Sequence, residues 1–143
     1  MGAVYLSQAV IPDMLKAGHG FISLTGATAA LRGRAGFAPL AIAKASLRML
    51  GQSLAREFHP KGIHVVHLIV DRQIDTPKLR ARDPNRAAET IISPDSIAEI
   101  VLFTLNKLRC LDARTRPSAS HRVVLKFTPG RLRSVIDLTC TLA

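Results

Sequence analysis

Arg32 and Arg34 flank Gly33 in a loop that opens at Gly26. Two guanidinium forks so placed could hold a phosphate or a carboxylate, and a solvated loop accounts for them equally well. His64 and His67 lie three apart in an apolar run that reads as a strand, so they point to opposite faces and cannot chelate one metal ion together. They read as structural or surface histidines. Cys110 and Cys140 have neither a Cys-x-x-Cys partner nor a nearby histidine pair, which leaves no zinc pattern and no disulfide framework. Lone thiols of this kind suit a reducing compartment, and a cytoplasmic protein is the expectation. No Gly-x-Gly-x-x-Gly turn, the usual cradle for a pyrophosphate, occurs in the sequence.

Charge narrows the classes further. The net charge is +10 over 143 residues. Residues 1–106 carry 12 basic and 8 acidic side chains, whereas residues 107–143 carry 8 basic and 2 acidic ones. A basic tail can neutralise phosphates of a nucleic acid or another anion, or it can be a solvated end. With no Trp and only Tyr5, there are few aromatic platforms for stacking bases, and no recognition motif accompanies the charge, so nucleic-acid binding is the weakest expectation. No apolar run reaches the length of about 20 residues that spans a bilayer. Met1–Leu6 lacks a basic signal-peptide region, and Leu6 stands where N-myristoylation wants Ser or Thr. The chain length fits one domain with a sizeable core.

The elements that must carry these residues read off the periodicity. Residues 2–17 suit a helix with an apolar stripe at Val4, Leu6, Ala9, Val10, Met14 and Leu15, with Ser7 facing elsewhere and Pro12 threatening a kink. Gly18 and Gly20 end it, and residues 21–25 form a short strand. After the loop, Pro39 suits a first helical turn, followed by Leu40, Ala43, Leu47, Leu50, Leu54 and Phe58 at helical spacing. Residues 63–70 are almost continuously apolar and β-branched, as in a central parallel strand covered on both faces. A polar stretch runs from Asp71 to Thr90. Ser93 then caps a helix that starts with Pro94 and Asp95 and continues through Ile97, Ile100, Val101, Thr104 and Leu105. Residues 121–127 could be one more strand before the turn at Pro129-Gly130. Alternating helices and short apolar strands indicate right-handed crossovers and a parallel sheet.

Four segments in this order resemble the short-chain dehydrogenase/reductase family. Gly20–Ala29, with Thr25-Gly26-Ala27-Thr28-Ala29, looks like the strand and loop that bear the family's serine. Gly36–Leu47 is similar to its Tyr-x-x-x-Lys helix. Gln52–Glu57 and Gly62–Val65 continue the match, and Asp71–Pro77 resembles the Pro-Gly-x-x-x-Thr turn beside the nicotinamide. The resemblance covers roughly residues 2–106. It implies an α/β fold: the second half of a Rossmann-like, doubly wound parallel sheet with flanking helices. Residues 1–107 are then the C-terminal half of such a domain, and residues 108–143 a basic tail.

The resemblance also implies hydride transfer between NAD or NADP and a carbonyl or alcohol. A tyrosine acts as general acid/base, with its pKa lowered by a lysine four residues on, and a serine positions the substrate oxygen. Carried over, the lysine is Lys44, while Leu40 stands in the tyrosine position and Ala27 in the serine position. Thr28 is adjacent to the latter and would need a loop shift to substitute. The family's asparagine falls before Gly2. Lys44, Ile74 and Thr76 are the residues left to hold the nicotinamide-ribose end, so binding of NAD or NADP should be weak or absent, and the enzyme atypical, truncated and impaired or inactive. Lys44 without its tyrosine could equally be a solvated helix lysine.

Other implications concern mobility and assembly. Asp71–Arg86 corresponds to the family's mobile substrate loop, although a disordered linker is the stronger expectation here. The helices matching residues 2–17 and 39–59 pack against a second subunit in the family. A non-catalytic interaction module, forming a homodimer or pairing with a full-length relative, is therefore the second reading. The tail departs from the family, and Leu111–Pro117 is what a Trp-Thr-His-Glu-type ending could become in another reading frame, which sequencing the gene would test.

Overall fold

A computed structural model describes the backbone of residues 1–111 and 121–125 and the side chains of residues 1–107. In chain order the elements are α1 (Gly2–Ala17), β1 (Gly20–Ala27), α2 (Ala38–Phe58), β2 (Ile63–Val70), β3 (Gln73–Ile74), α3 (Pro77–Arg82), β4 (Ile91–Ile92), α4 (Pro94–Leu111) and β5 (His121–Leu125). The main sheet has the order β1-β2-β5, and both pairings are parallel. Its register runs from Gly20 opposite Ile63 to Ala27 opposite Val70, so both strands end together.

β2 is the centre of the molecule. All eight of its residues are buried, as its unbroken apolar run requires of a strand covered on both faces. Strand alternation then divides them between two cores. Val66, Leu68 and Val70 pack with Ile92 and Ile100, with Ile97 and Val101 of α4 alongside. Ile63 and Val65 pack with Leu24, Ile11 of α1 and Ala55 of α2, with Leu47, Leu54 and Phe58 alongside. Helices thus cover both faces, which makes this a doubly wound α/β layer. Each fully buried Ile or Leu here contributes about 2 kcal/mol of transfer free energy.

α1 spans the expected residues with Pro12 inside it; Gln8, whose carbonyl would have accepted the missing bond, lies on an exposed part of the helix. One expectation about its faces is corrected. The buried positions are Ser7 and Ile11, while Leu6 is 66% exposed. Ser7 tolerates burial because its hydroxyl donates to the Ala3 carbonyl one turn back, at 2.8 Å.

The polar stretch after β2 is structured where a disordered linker was expected. β3 pairs in parallel with β4, and the Asp75 N–H donates to the Ile92 carbonyl at 2.8 Å. Thr76 caps α3, its hydroxyl oxygen accepting from the Leu79 N–H at 3.2 Å, and Pro77 opens the helix. Leu79 is buried, and Arg80 reaches back to donate to the two Asp75 carboxylate oxygens from Nε and Nη2, at 2.7 and 2.8 Å. One buried anchor, one cap and one bidentate ion pair order a segment whose composition alone suggests a linker.

At the opposite end of the sheet, Gly62 turns the chain from α2 into β2 with φ +83°, and a Cβ there would lie 2.2 Å from the Gly18 carbonyl oxygen. Only glycine fits that approach. α4 begins as expected, with the Ser93 hydroxyl accepting from the Ser96 N–H at 3.0 Å. It continues to Leu111, and residues 121–125 add the third strand beside β2. Cys140, the stretch Leu111–Pro117 beyond its first residue, the turn at Pro129-Gly130 and most of the basic tail lie outside the described residues.

Candidate functional site

Parallel strands that end in register leave a crevice beyond their carboxyl ends, where ligands of open α/β sheets bind. Here β1 ends at Ala27 and β2 at Val70, and a cavity of about 310 Å³ lies beyond them. Ala27 and Thr28 line it from the end of β1, Leu40 and Phe37 from the start of α2, and Val70 and Asp71 from the end of β2. Arg32 and Arg34 enter from the β1–α2 loop, and Arg72 and Arg86 from the segment after β2.

The structure therefore brings together the two positions singled out as departures from the family pattern, Ala27 and Leu40. Neither side chain carries a proton. Lys44, one turn beyond Leu40 on α2, is half-buried, and its Nζ donates to the Thr25 carbonyl of β1 at 2.8 Å. α2 is thus tied to β1 by the one basic residue of the Leu40–Lys44 pair. Ile74 sits on β3 and is 37% exposed; Thr76 is engaged as the α3 cap. Lys44, Ile74 and Thr76 do not line the cavity itself.

The pairings among the site's other residues were not legible in the sequence. The Thr28 hydroxyl donates to the Asp71 carboxylate, joining the loop after β1 to the end of β2 across 43 positions of sequence. This pairing occupies Asp71 and orients the Thr28 hydroxyl. Arg72 donates to the Glu89 carbonyl, and Arg86 to Asp83 at 2.9 Å. The guanidinium of Arg34 lies 5.7 Å from the centre of the Phe37 ring, a cation–π distance. The sequence singles out Arg32 and Arg34 by their pairing about a loop glycine, and Thr28, Asp71 and Arg72 by their place in the family resemblance.

His64 and His67 are both buried, in keeping with a structural role. His64 meets His59 edge to face at 4.7 Å between ring centres. Among the described residues no group of His, Cys, Asp and Glu could hold a metal ion, and no helix is long and apolar enough to cross a membrane.

Comparison with known proteins decides the family. The family model for short chain dehydrogenase matches residues 1–86. This chain belongs to the short-chain dehydrogenase family. A solved short chain dehydrogenase/reductase family protein superposes with a TM-score of 0.63 at 28% identity, over 71% of this chain and 44% of that one. The closed form of serine dehydrogenase complexed with NADP+ gives a TM-score of 0.61 at 24% identity, over 71% of this chain and 44% of that one, and shows the fold alone. A gluconate 5-dehydrogenase from Burkholderia cenocepacia J2315, in complex with NADP and tartrate, aligns at 28% identity over 57% of this chain and 31% of that one, with a TM-score of 0.49. The chain spans under half the length of each of these proteins. No curated protein matches it.

Asp71 and Arg72 bring a charge of each sign to the cavity.

Proposed function

We propose that these residues form the substrate-side half of an NAD(P)-dependent oxidoreductase fold acting on a carbonyl or alcohol, and that proton transfer is impaired in this chain. The observation that supports this is the composition of the cavity: Ala27 and Leu40 line it where a hydroxyl and a phenol would serve the reaction. A hydrocarbon side chain can position a substrate but cannot exchange a proton with it.

The residues present suit NAD or NADP in part. Lys44, held at the end of β1 by the Thr25 carbonyl, and Ile74 and Thr76 after β2 would hold the nicotinamide-ribose end. The sequence offers no glycine-rich turn for the pyrophosphate, so weak affinity is expected. When bound, the cofactor supplies the hydride. The chain's own residues offer hydrocarbon surface, through Leu40, Val70 and Phe37, and orient a ligand, through Thr28 and the arginines.

The test is a fluorescence titration of NADH and NADPH against the chain, with circular dichroism establishing that it is folded. Saturable binding weakened at least tenfold by Lys44→Ala is expected. Absence of binding by the folded chain would remove the oxidoreductase reading.

A second reading, an interaction module dimerising through its long helices, is favoured by one observation. Tyr5 and Leu6 of α1 and Ile42 and Met49 of α2 are 64%, 66%, 69% and 50% exposed. Apolar side chains gathered on two neighbouring helices suit a partner's helices. Sedimentation velocity tests this: concentration-dependent dimerisation weakened by Ile42→Glu is expected, and a monomer at every concentration would remove it.

A further inference from the structure

The cavity at the ends of β1 and β2 has a charge pattern that the family reaction does not call for. Four arginines and one carboxylate line it. Asp71 is occupied by the Thr28 hydroxyl, and Arg72 and Arg86 have carbonyl and carboxylate partners of their own. Among the described residues the guanidinium groups of Arg32 and Arg34 have neither hydrogen bond nor ion pair, and that of Arg34 rests over the Phe37 ring. Like charges gathered at one cavity repel one another, and an anion bound between them relieves that repulsion. The planar guanidinium fork matches a carboxylate or a phosphate.

Part of the cavity wall is hydrocarbon. Ala27, Leu40 and Val70 contribute to it, and Phe37, under Arg34, adds a ring that is 47% exposed. Such a wall offers burial to an alkyl or similar body and nothing to a polar one. Leu40 is 41% exposed although it lines a cavity, so its covering surface is open to a ligand.

We propose that this cavity takes a small organic anion with an apolar body, its anionic group held by Arg32 and Arg34 and its body lying against Leu40, Val70 and Phe37. This deepens the reading of the cavity as a substrate site, and rests on that reading for the word substrate but not for the binding. The volume of about 310 Å³ suits a molecule of a few carbons with one head group. Carboxylate and phosphate ester share the recognising chemistry, and the experiment separates them.

Isothermal titration of the 143-residue chain with hexanoate, hexyl phosphate and the uncharged isostere hexanamide tests the proposal. Saturable binding of at least one anion is expected, with hexanamide at least tenfold weaker; the tighter anion names the head group. Arg32→Gln combined with Arg34→Gln should lose at least tenfold. Lys16→Gln removes one positive charge at the far end of the sheet, on a residue paired with Asp13, and should lose nothing beyond a general salt effect. Circular dichroism checks that each variant is folded. Hexanamide binding as tightly as the anions, full affinity in the double variant, an equal loss from Lys16→Gln, or no saturable binding of either anion by the folded chain would each overturn the proposal. Anion binding without any NADPH binding would remove the oxidoreductase reading and leave this one standing.

Discussion

Gly26 and His67 lie on neighbouring strands with no room for a methyl between them: a Cβ at Gly26 would come within 2.3 Å of His67 Nε2. In the register of β1 and β2, Gly26 faces Ile69 and Leu24 faces His67, so the imidazole lies diagonally across the ladder over the glycine. On the same face, a Cβ at Gly51 of α2 would come within 3.9 Å of His67 Cβ and 3.0 Å of a Leu24 methyl. A buried ring thus fills the space between sheet and helix immediately below the candidate site.

Gly26→Ala should therefore destabilise the chain by about 1–3 kcal/mol, the usual cost of overpacking a dense core. Urea unfolding measures it. The loss should shrink when His67→Ala is added, because the two changes compete for one space. An unchanged unfolding midpoint would show that the ring moves freely, contrary to its packing.

Leu40→Tyr would place a phenol one helical turn from the Lys44 ammonium, where residues four apart are neighbours. Leu40 is 41% exposed, so the larger ring needs little repacking. The introduced phenol should ionise below the ordinary value of about 10, because the nearby cation favours the phenolate. Alkaline absorbance in a Tyr5→Phe background follows that one group, since Tyr5 is the only native tyrosine. Adding Lys44→Ala should return the titration upward; no response to Lys44→Ala would sever the proposed link between the two positions.

Hydrogen bonding from Arg80 holds the Asp75 carboxyl below its ordinary value of 3.8. The folded-state pKa is depressed, so the ion pair supports α3 fully above the unfolded value and loses that support as pH falls through the folded one. Carbon NMR of the Asp75 carboxyl should show a titration below 3.8 that moves upward in Arg80→Ala. Both side chains are partly open to water, which keeps the energetic consequence small. A midpoint that ignores Arg80→Ala would contradict the pairing.

Some of this structure was legible because local physics and tertiary packing agree. The apolar run at residues 63–70 has no face it could leave in water, so it had to be a central strand. Ser93 and Pro94 start α4 by satisfying and omitting helix N–H groups, a local matter. Ser7 was misread because its hydroxyl finds a backbone partner within its own helix, which makes a polar residue burial-competent. The segment after β2 was misread because its order rests on Leu79, on the Asp75–Arg80 pair and on pairing with β4, none of which composition reveals.

The sequence by itself determined the alternation of helices and parallel strands, the family, and the absence of a phenol at Leu40 and a hydroxyl at Ala27, because these depend on residue type and spacing along the chain. Only the tertiary structure decided that Thr28 meets Asp71, and that arginines from two separate segments converge on one cavity. Those relationships follow from β1 and β2 ending in register, and strand register is a property of the packed sheet, not of either strand alone.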